Sequence, residues 1–118
     1  MPSDAANTFP KAERLSSKKD ISRLLNHGRW GSCNGLKYCI LSPNEAGINR
    51  LVVAVPKKYF KRAVKRNLLK RRIREAYRTQ KGLAAVSCAD IMIQYDSQEI
   101  MDYQTIHELV GRIISMVR

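Results

Sequence analysis

Between Lys57 and Lys81 the chain places 12 of its 22 lysines and arginines against a single acid, Glu75. That stretch carries +11 of the formal +12, while the remaining residues are nearly balanced at +1. Arginine suits bidentate phosphate contact, and lysine supplies point charge. Asn67 offers an amide for a backbone oxygen or a water ordered on a metal. The chemistry these residues provide is recognition of a polyanion at one place on the surface. Nothing comparable supports bond breaking. The acids elsewhere are scattered, with no pair spaced for general acid–base work or two-metal binding, and no nucleophile motif occurs. No catalytic residue and no metal ligand is assigned. His27 and His107 read as isolated surface histidines.

The elements that must hold the cations follow from periodicity. A helix is expected between a strand ending at Val55 and another starting near Ala89. At about 100° per residue Leu69, Ile73, Ala76 and Tyr77 share one face, which should seat on a sheet. Asn67, Lys70, Arg71, Arg74 and Arg78 share another. Like charges at such spacings repel by a few tenths of a kcal/mol per pair. A helix carrying that penalty suits phosphates better than solvent alone. A solvated helix serving solubility is the plain alternative, disfavoured because surface charges of both signs are normally interspersed. Lys57 and Lys58 extend the patch, and Lys65 lies within it.

The rest of the chain reads as a small mixed domain. Ser17 to Asp20 has the spacing of a helix start, Ile21, Leu24 and Leu25 follow on one face, and Gly28 ends it. Leu36–Leu41, Leu51–Val55 and Ile91–Tyr95 read as strands, the second stopped by Pro56. Ile106, Leu109, Val110, Ile113, Ile114 and Val117 form the apolar stripe of a closing helix that Asp102 caps. Residues 1–13, polar with two prolines, are expected to be a flexible arm before a single domain over 14–118. At 118 residues and 44% hydrophobic content the chain is long enough for one core. Cys33, Cys39 and Cys88 form an odd set without paired spacing, against a disulfide framework or zinc site and toward a reducing, cytoplasmic setting. No signal peptide or membrane-spanning run is read. A nucleic acid is favoured over an anionic membrane surface as partner, because membrane binding usually wants a broad apolar face opposite the charge.

Pro56-Lys57-Lys58, followed by the run from Ala63 through Arg66, Asn67, Lys70, Arg71, Arg74 and Glu75 to Tyr77, resembles the signature of the protein subunit of bacterial ribonuclease P. The likeness extends from Arg14-Leu15 through Asp20, Gly28 and Arg50-Leu51 to the C-terminus. It implies an α/β (α+β) two-layer sandwich with a sheet of about four strands and three helices. The fourth strand would be a weak one around Arg29 to Cys33. It also implies a left-handed strand–helix–strand crossover around the basic helix, against the general rule of right-handedness.

The resemblance further implies an accessory role. Members of that family assist a catalytic RNA that removes the 5′ leader of precursor tRNA with Mg²⁺, which is bound mainly through the RNA. Lys57, Lys58, Lys65, Arg66, Asn67, Lys70, Arg71, Arg74 and Arg78 would face that RNA. Ile21, Leu25, Tyr38 and Cys39 would line a cleft for the single-stranded leader, with core packing the alternative for Ile21 and Leu25. No obligatory protein partner is implied. Two positions depart from the pattern. Leu68 stands where the motif has arginine, with Lys65 or Arg72 available to compensate, and the first helix lacks the aromatics often found there. Trp30 and Arg29 are expected to pack against the sheet, with contact to RNA the alternative. A ribosomal-protein-like structural RNA binder is the alternative function.

Overall fold

The computed structural model describes residues 9–118. Its helices are α1 (Lys18–His27), α2 (Ala63–Gln80) and α3 (Tyr103–Ser115), and its strands β1 (Arg29–Cys33), β2 (Leu36–Leu41), β3 (Arg50–Ala54) and β4 (Asp90–Tyr95). The strands form one sheet in the order β1-β2-β4-β3. β1, β2 and β4 pair antiparallel, whereas β3 runs parallel to β4, with α2 as the crossover between them.

Local chemistry sets the boundaries. The Ser17 hydroxyl accepts the Asp20 amide at the start of α1, and Asp102 accepts the Thr105 amide at 2.8 Å at the start of α3. Gly28 closes α1 where no side chain fits, since a Cβ would lie 2.5 Å from Cys39 Sγ. The β1–β2 hairpin turns on Asn34 and Gly35, with φ of 41° and 100°. Two left-handed residues in a two-residue loop match the turn that suits twisted antiparallel strands.

The sheet faces divide the core. On one side Leu36, Ile40, Leu51, Ile91, Ile93 and Tyr95 meet Leu69, Ile73, Ala76 and Tyr77 of α2 and the stripe of α3. All four of these α2 side chains are buried, as their spacing predicts. On the other side α1 lays Leu24 over Cys39 and Met92, with Ile21, Leu41 and Val52 at the margin. The two-layer body of sheet and paired helices is therefore present, and α1 covers part of its opposite face.

The placement of α1 rests on a buried ion network. Asp90 is fully buried and accepts Arg50 Nε at 2.8 Å, Arg50 Nη2 at 2.9 Å and Asn44 Nδ2 at 2.8 Å. Arg50 Nη1 then reaches Asp20 of α1 at 3.2 Å. Such a carboxylate is tolerated because its bonds are made by charged and amide donors.

Residues 1–8 of the expected arm lie outside the described residues. Residues 9–13, read from the sequence as loose, are packed. The Phe9 ring meets Tyr77 edge-on at 5.7 Å, Glu13 pairs with Lys81 at 3.0 Å, and Arg14 bridges to Leu51 beside β3. A phenylalanine with a buried aromatic in reach gains more from burial than a polar-looking segment suggests. Among the described residues no helix is long and apolar enough to cross a membrane.

Candidate nucleic-acid interface

Because one face of α2 is sealed against the sheet, its cations emerge as an arc. Lys65, Asn67, Arg71 and Arg74 are exposed, while Arg66, Lys70 and Arg78 are half-buried. Lys57 and Lys58 project from the β3–α2 loop, Lys58 with its Nζ 5.0 Å above the Tyr59 ring. These nine predicted residues thus lie on α2 or on the loop that leads into it.

Their roles differ. Arg66 donates from Nη1 to the carbonyls of Phe60 and Lys61, both at 2.8 Å, and so clamps the lysine-bearing loop onto α2. Arg78 pairs with Glu75 at 2.7 Å, which holds that carboxyl below its ordinary range. Arg72 donates from Nη1 to the Met101 carbonyl at 2.6 Å, fastening α2 to the lead-in of α3. It is therefore engaged where the sequence offered it as a substitute for the arginine missing at Leu68. Lys65 stays exposed.

A concavity of ≈ 310 Å³ is bounded by Asn67, Arg71, Arg74, Glu75 and Arg78 from α2 and by Phe9 and Arg14 from the N-terminal segment. Phe9 and Arg14 were missed as site residues, because only the fold brings that segment against α2. The Arg14 guanidinium sits 5.2 Å above the Phe9 ring. A second hollow of ≈ 200 Å³ shares Phe9, Arg14 and Arg74 and extends to Leu51 and Val52 of β3. The basic arc is thereby continuous with the sheet face that α1 only partly covers.

The expected leader cleft requires correction. Cys39 is fully buried under α1, its thiol donating to the Leu24 carbonyl at 3.2 Å, and burial pushes its pKa up. Tyr38 points to the opposite side, packed with the main core and donating to Met116 Sδ at 3.0 Å. Adjacent strand residues face opposite ways, so Tyr38 and Cys39 cannot line one groove. Ile21 is half-buried at the edge of the smaller core and Leu25 is exposed.

The strand register gives the groove a different floor. Ala54, Gln94, Lys37 and Ser32 align across the sheet on the α1 side, one pleat beyond Met92, and none of them is buried. Trp30, aligned with Cys39 and thus on the same side, is 49% exposed, more open than packing on the sheet would leave it. Its indole N–H donates to the Leu25 carbonyl at 3.2 Å, and Lys37 Nζ lies 5.8 Å above its ring. An aromatic is thus present beside α1, supplied by β1 instead of the helix.

Among the described residues no group of three or more His, Cys, Asp or Glu side chains is arranged to hold a metal. Cys33, Cys39 and Cys88 are free thiols. Fold and surface together define a small α+β domain whose cations are concentrated on one helix and the loop that leads into it.

The chain belongs to the ribonuclease P protein family, whose model matches residues 9–117. It is 32% identical to a ribonuclease P protein component of Porphyromonas gingivalis, over all of this chain and 90% of that one. A ribonuclease P protein component of Petrotoga mobilis is 43% identical over 63% of this chain and 61% of its own. The fold matches the Thermotoga maritima protein with a TM-score of 0.78 at 24% identity, covering 90% of this chain and 98% of that one. The Staphylococcus aureus protein matches with a TM-score of 0.74 at 25% identity, covering 90% and 95%. As a component of that tRNA-processing endoribonuclease it is an accessory subunit, and the RNA carries the catalysis.

Proposed function

We propose that this chain docks on the RNA subunit of ribonuclease P through the exposed arc of α2. The 5′ leader of precursor tRNA would then lie in the groove between α1 and the open sheet face. The observation that carries this reading is the continuity between the two surfaces. Arg74 and Arg14 border both the concavity on α2 and the hollow that reaches Val52. An RNA held on the arc therefore leaves the groove open beside it for a second, single strand.

Each residue class has a distinct task. Arg71, Arg74, Lys65 and Lys70 neutralise phosphates, and Asn67 bonds a backbone oxygen or an ordered water. Arg66 keeps Lys57 and Lys58 in register with the arc. In the groove Lys37 meets the leader backbone while Trp30, Leu25 and Ile21 present apolar surface to its bases. Mg²⁺ would be bound mainly through the RNA; among the described residues no group of three or more His, Cys, Asp or Glu side chains is arranged to hold a metal. The chain itself binds, orients and screens charge. Three free thiols accord with a reducing cytoplasm.

Reconstitution tests the proposal. The purified protein should not cleave precursor tRNA by itself, and should lower the Mg²⁺ concentration at which ribonuclease P RNA does so. If about 6–10 phosphates are neutralised, RNA affinity should fall roughly 10³–10⁵-fold between about 50 and 200 mM salt. RNA binding that leaves cleavage at low Mg²⁺ unchanged would favour a purely structural RNA binder. RNA-independent cleavage would point to a nuclease.

A further inference from the structure

We infer that a cavity between α2 and the start of α3 receives one unpaired nucleobase of the bound RNA, stacked on Tyr103 and against Leu68. The cavity measures ≈ 290 Å³ and is lined by Leu68, Arg71, Arg72, Glu75 and Tyr103. The inference rests on the RNA-binding reading above and concerns a surface beyond the phosphate arc.

Leu68 is half-buried in this cavity, while Val64, one turn earlier on the same stripe, is 80% exposed. Exposed aliphatic side chains beside an arc of arginines are poor partners for phosphate and good ones for a base. Tyr103 supplies the aromatic surface. It is 36% exposed, stands just after the Asp102 cap, and its ring lies 5.7 Å from that of His107. The arginines are arranged to frame the cavity. Arg72 is fastened to the Met101 carbonyl, so its stem forms a fixed wall. Arg71 borders both this cavity and the larger basic concavity, placing a cation where a nucleotide entering with its base would carry its phosphate.

Charge selects the occupant. The Glu75 carboxylate in the lining is paired with Arg78 through both oxygens and keeps lone pairs that can accept a base N–H. A second copy of a chain with formal charge +12 is disfavoured on the same cationic surface. An RNA strand meets both demands, with its phosphate outside on Arg71 and its base within.

The experiment is a salt series of binding measurements with full-length protein and cognate ribonuclease P RNA. Tyr103→Ala should weaken binding by about 5- to 150-fold, the equivalent of one lost stack, while the slope of log K against log salt stays the same. Tyr103→Phe should bind like the unmodified protein. Leu68→Arg should steepen the slope by about one, because it exchanges a base contact for a phosphate contact. Leu68→Ala, measured alongside thermal melts, covers the case in which a Tyr103 variant misfolds, and should also weaken binding at constant slope. Unchanged affinity in Tyr103→Ala and Leu68→Ala would overturn the inference, as would a loss accompanied by a slope lower by one. If the unmodified protein itself fails to bind the RNA, the functional reading falls and takes this one with it.

Discussion

Trp30 offers the sharpest test of the leader groove, because it is the chain's one tryptophan and stands half exposed beside α1. Stacking a base on an aromatic is worth about 1–3 kcal/mol. The Lys37 ammonium already lies over this ring, and moving it aside costs roughly 0.5–1 kcal/mol. The midpoints of these ranges differ by about 1.25 kcal/mol, so Trp30→Ala should weaken binding of leader-bearing precursor by roughly 8-fold, and by no more than about 70-fold. Binding of mature tRNA, which has no leader, should not change. Trp30→Phe keeps a ring but loses the bond to the Leu25 carbonyl, and should fall between the two. The assay is a competition between precursor and mature tRNA on the reconstituted enzyme, with quenching of Trp30 fluorescence by a short single-stranded RNA as an independent readout. Equal losses for precursor and mature tRNA would refute the groove assignment. So would fluorescence indifferent to the leader.

Other outcomes follow from the same structure. Asp90→Ala leaves the Arg50 guanidinium without its buried partner and should cost about 3–5 kcal/mol, a drop of roughly 10–20 °C in melting temperature. Arg71→Ala should flatten the salt dependence of RNA binding by about one without altering the melt. Arg66→Ala should flatten it similarly and also lower the melting temperature, since two loop carbonyls lose their donor. The Asp102 carboxyl is held below its ordinary range by the Thr105 amide, so its cap is intact at neutral pH. That contribution should fade as pH falls from the ordinary aspartate range through the depressed folded value. Melting curves of Asp102→Asn should accordingly be flatter than those of the unmodified protein across that acidic window.

Legibility in the sequence followed the range of the interactions involved. The apolar face of α2 was readable residue by residue, because helical periodicity is local and Leu69, Ile73, Ala76 and Tyr77 have no alternative use. The same holds for the caps at Ser17 and Asp102 and for the stripe of α3. β1 read as weak, although Asn34-Gly35 between it and β2 is a strong hairpin signal. Its short, half-polar strand hides what its turn announces.

The groove was harder, since its walls come from α1, β1, β2, β3 and β4. Tyr38 and Cys39, joined as neighbours in the chain, were separated by the pleat, and burial under α1 removed Cys39 from any surface. Trp30 entered the groove through its alignment with Cys39, a pairing that no local pattern encodes.

What the amino-acid sequence determined by itself was the identity and confinement of the charge and the helix that carries it. Composition and short-range spacing decide these. Tertiary structure decided which cations are engaged within the fold and which stay exposed. Arg66 and Arg72 found backbone carbonyls, Arg78 found Glu75, and Arg71 and Arg74 stayed exposed at the rim of a concavity completed by Phe9 and Arg14. An arginine's role depends on which acceptor comes within about 3 Å, and residues distant in sequence supply most of those acceptors and cavity walls.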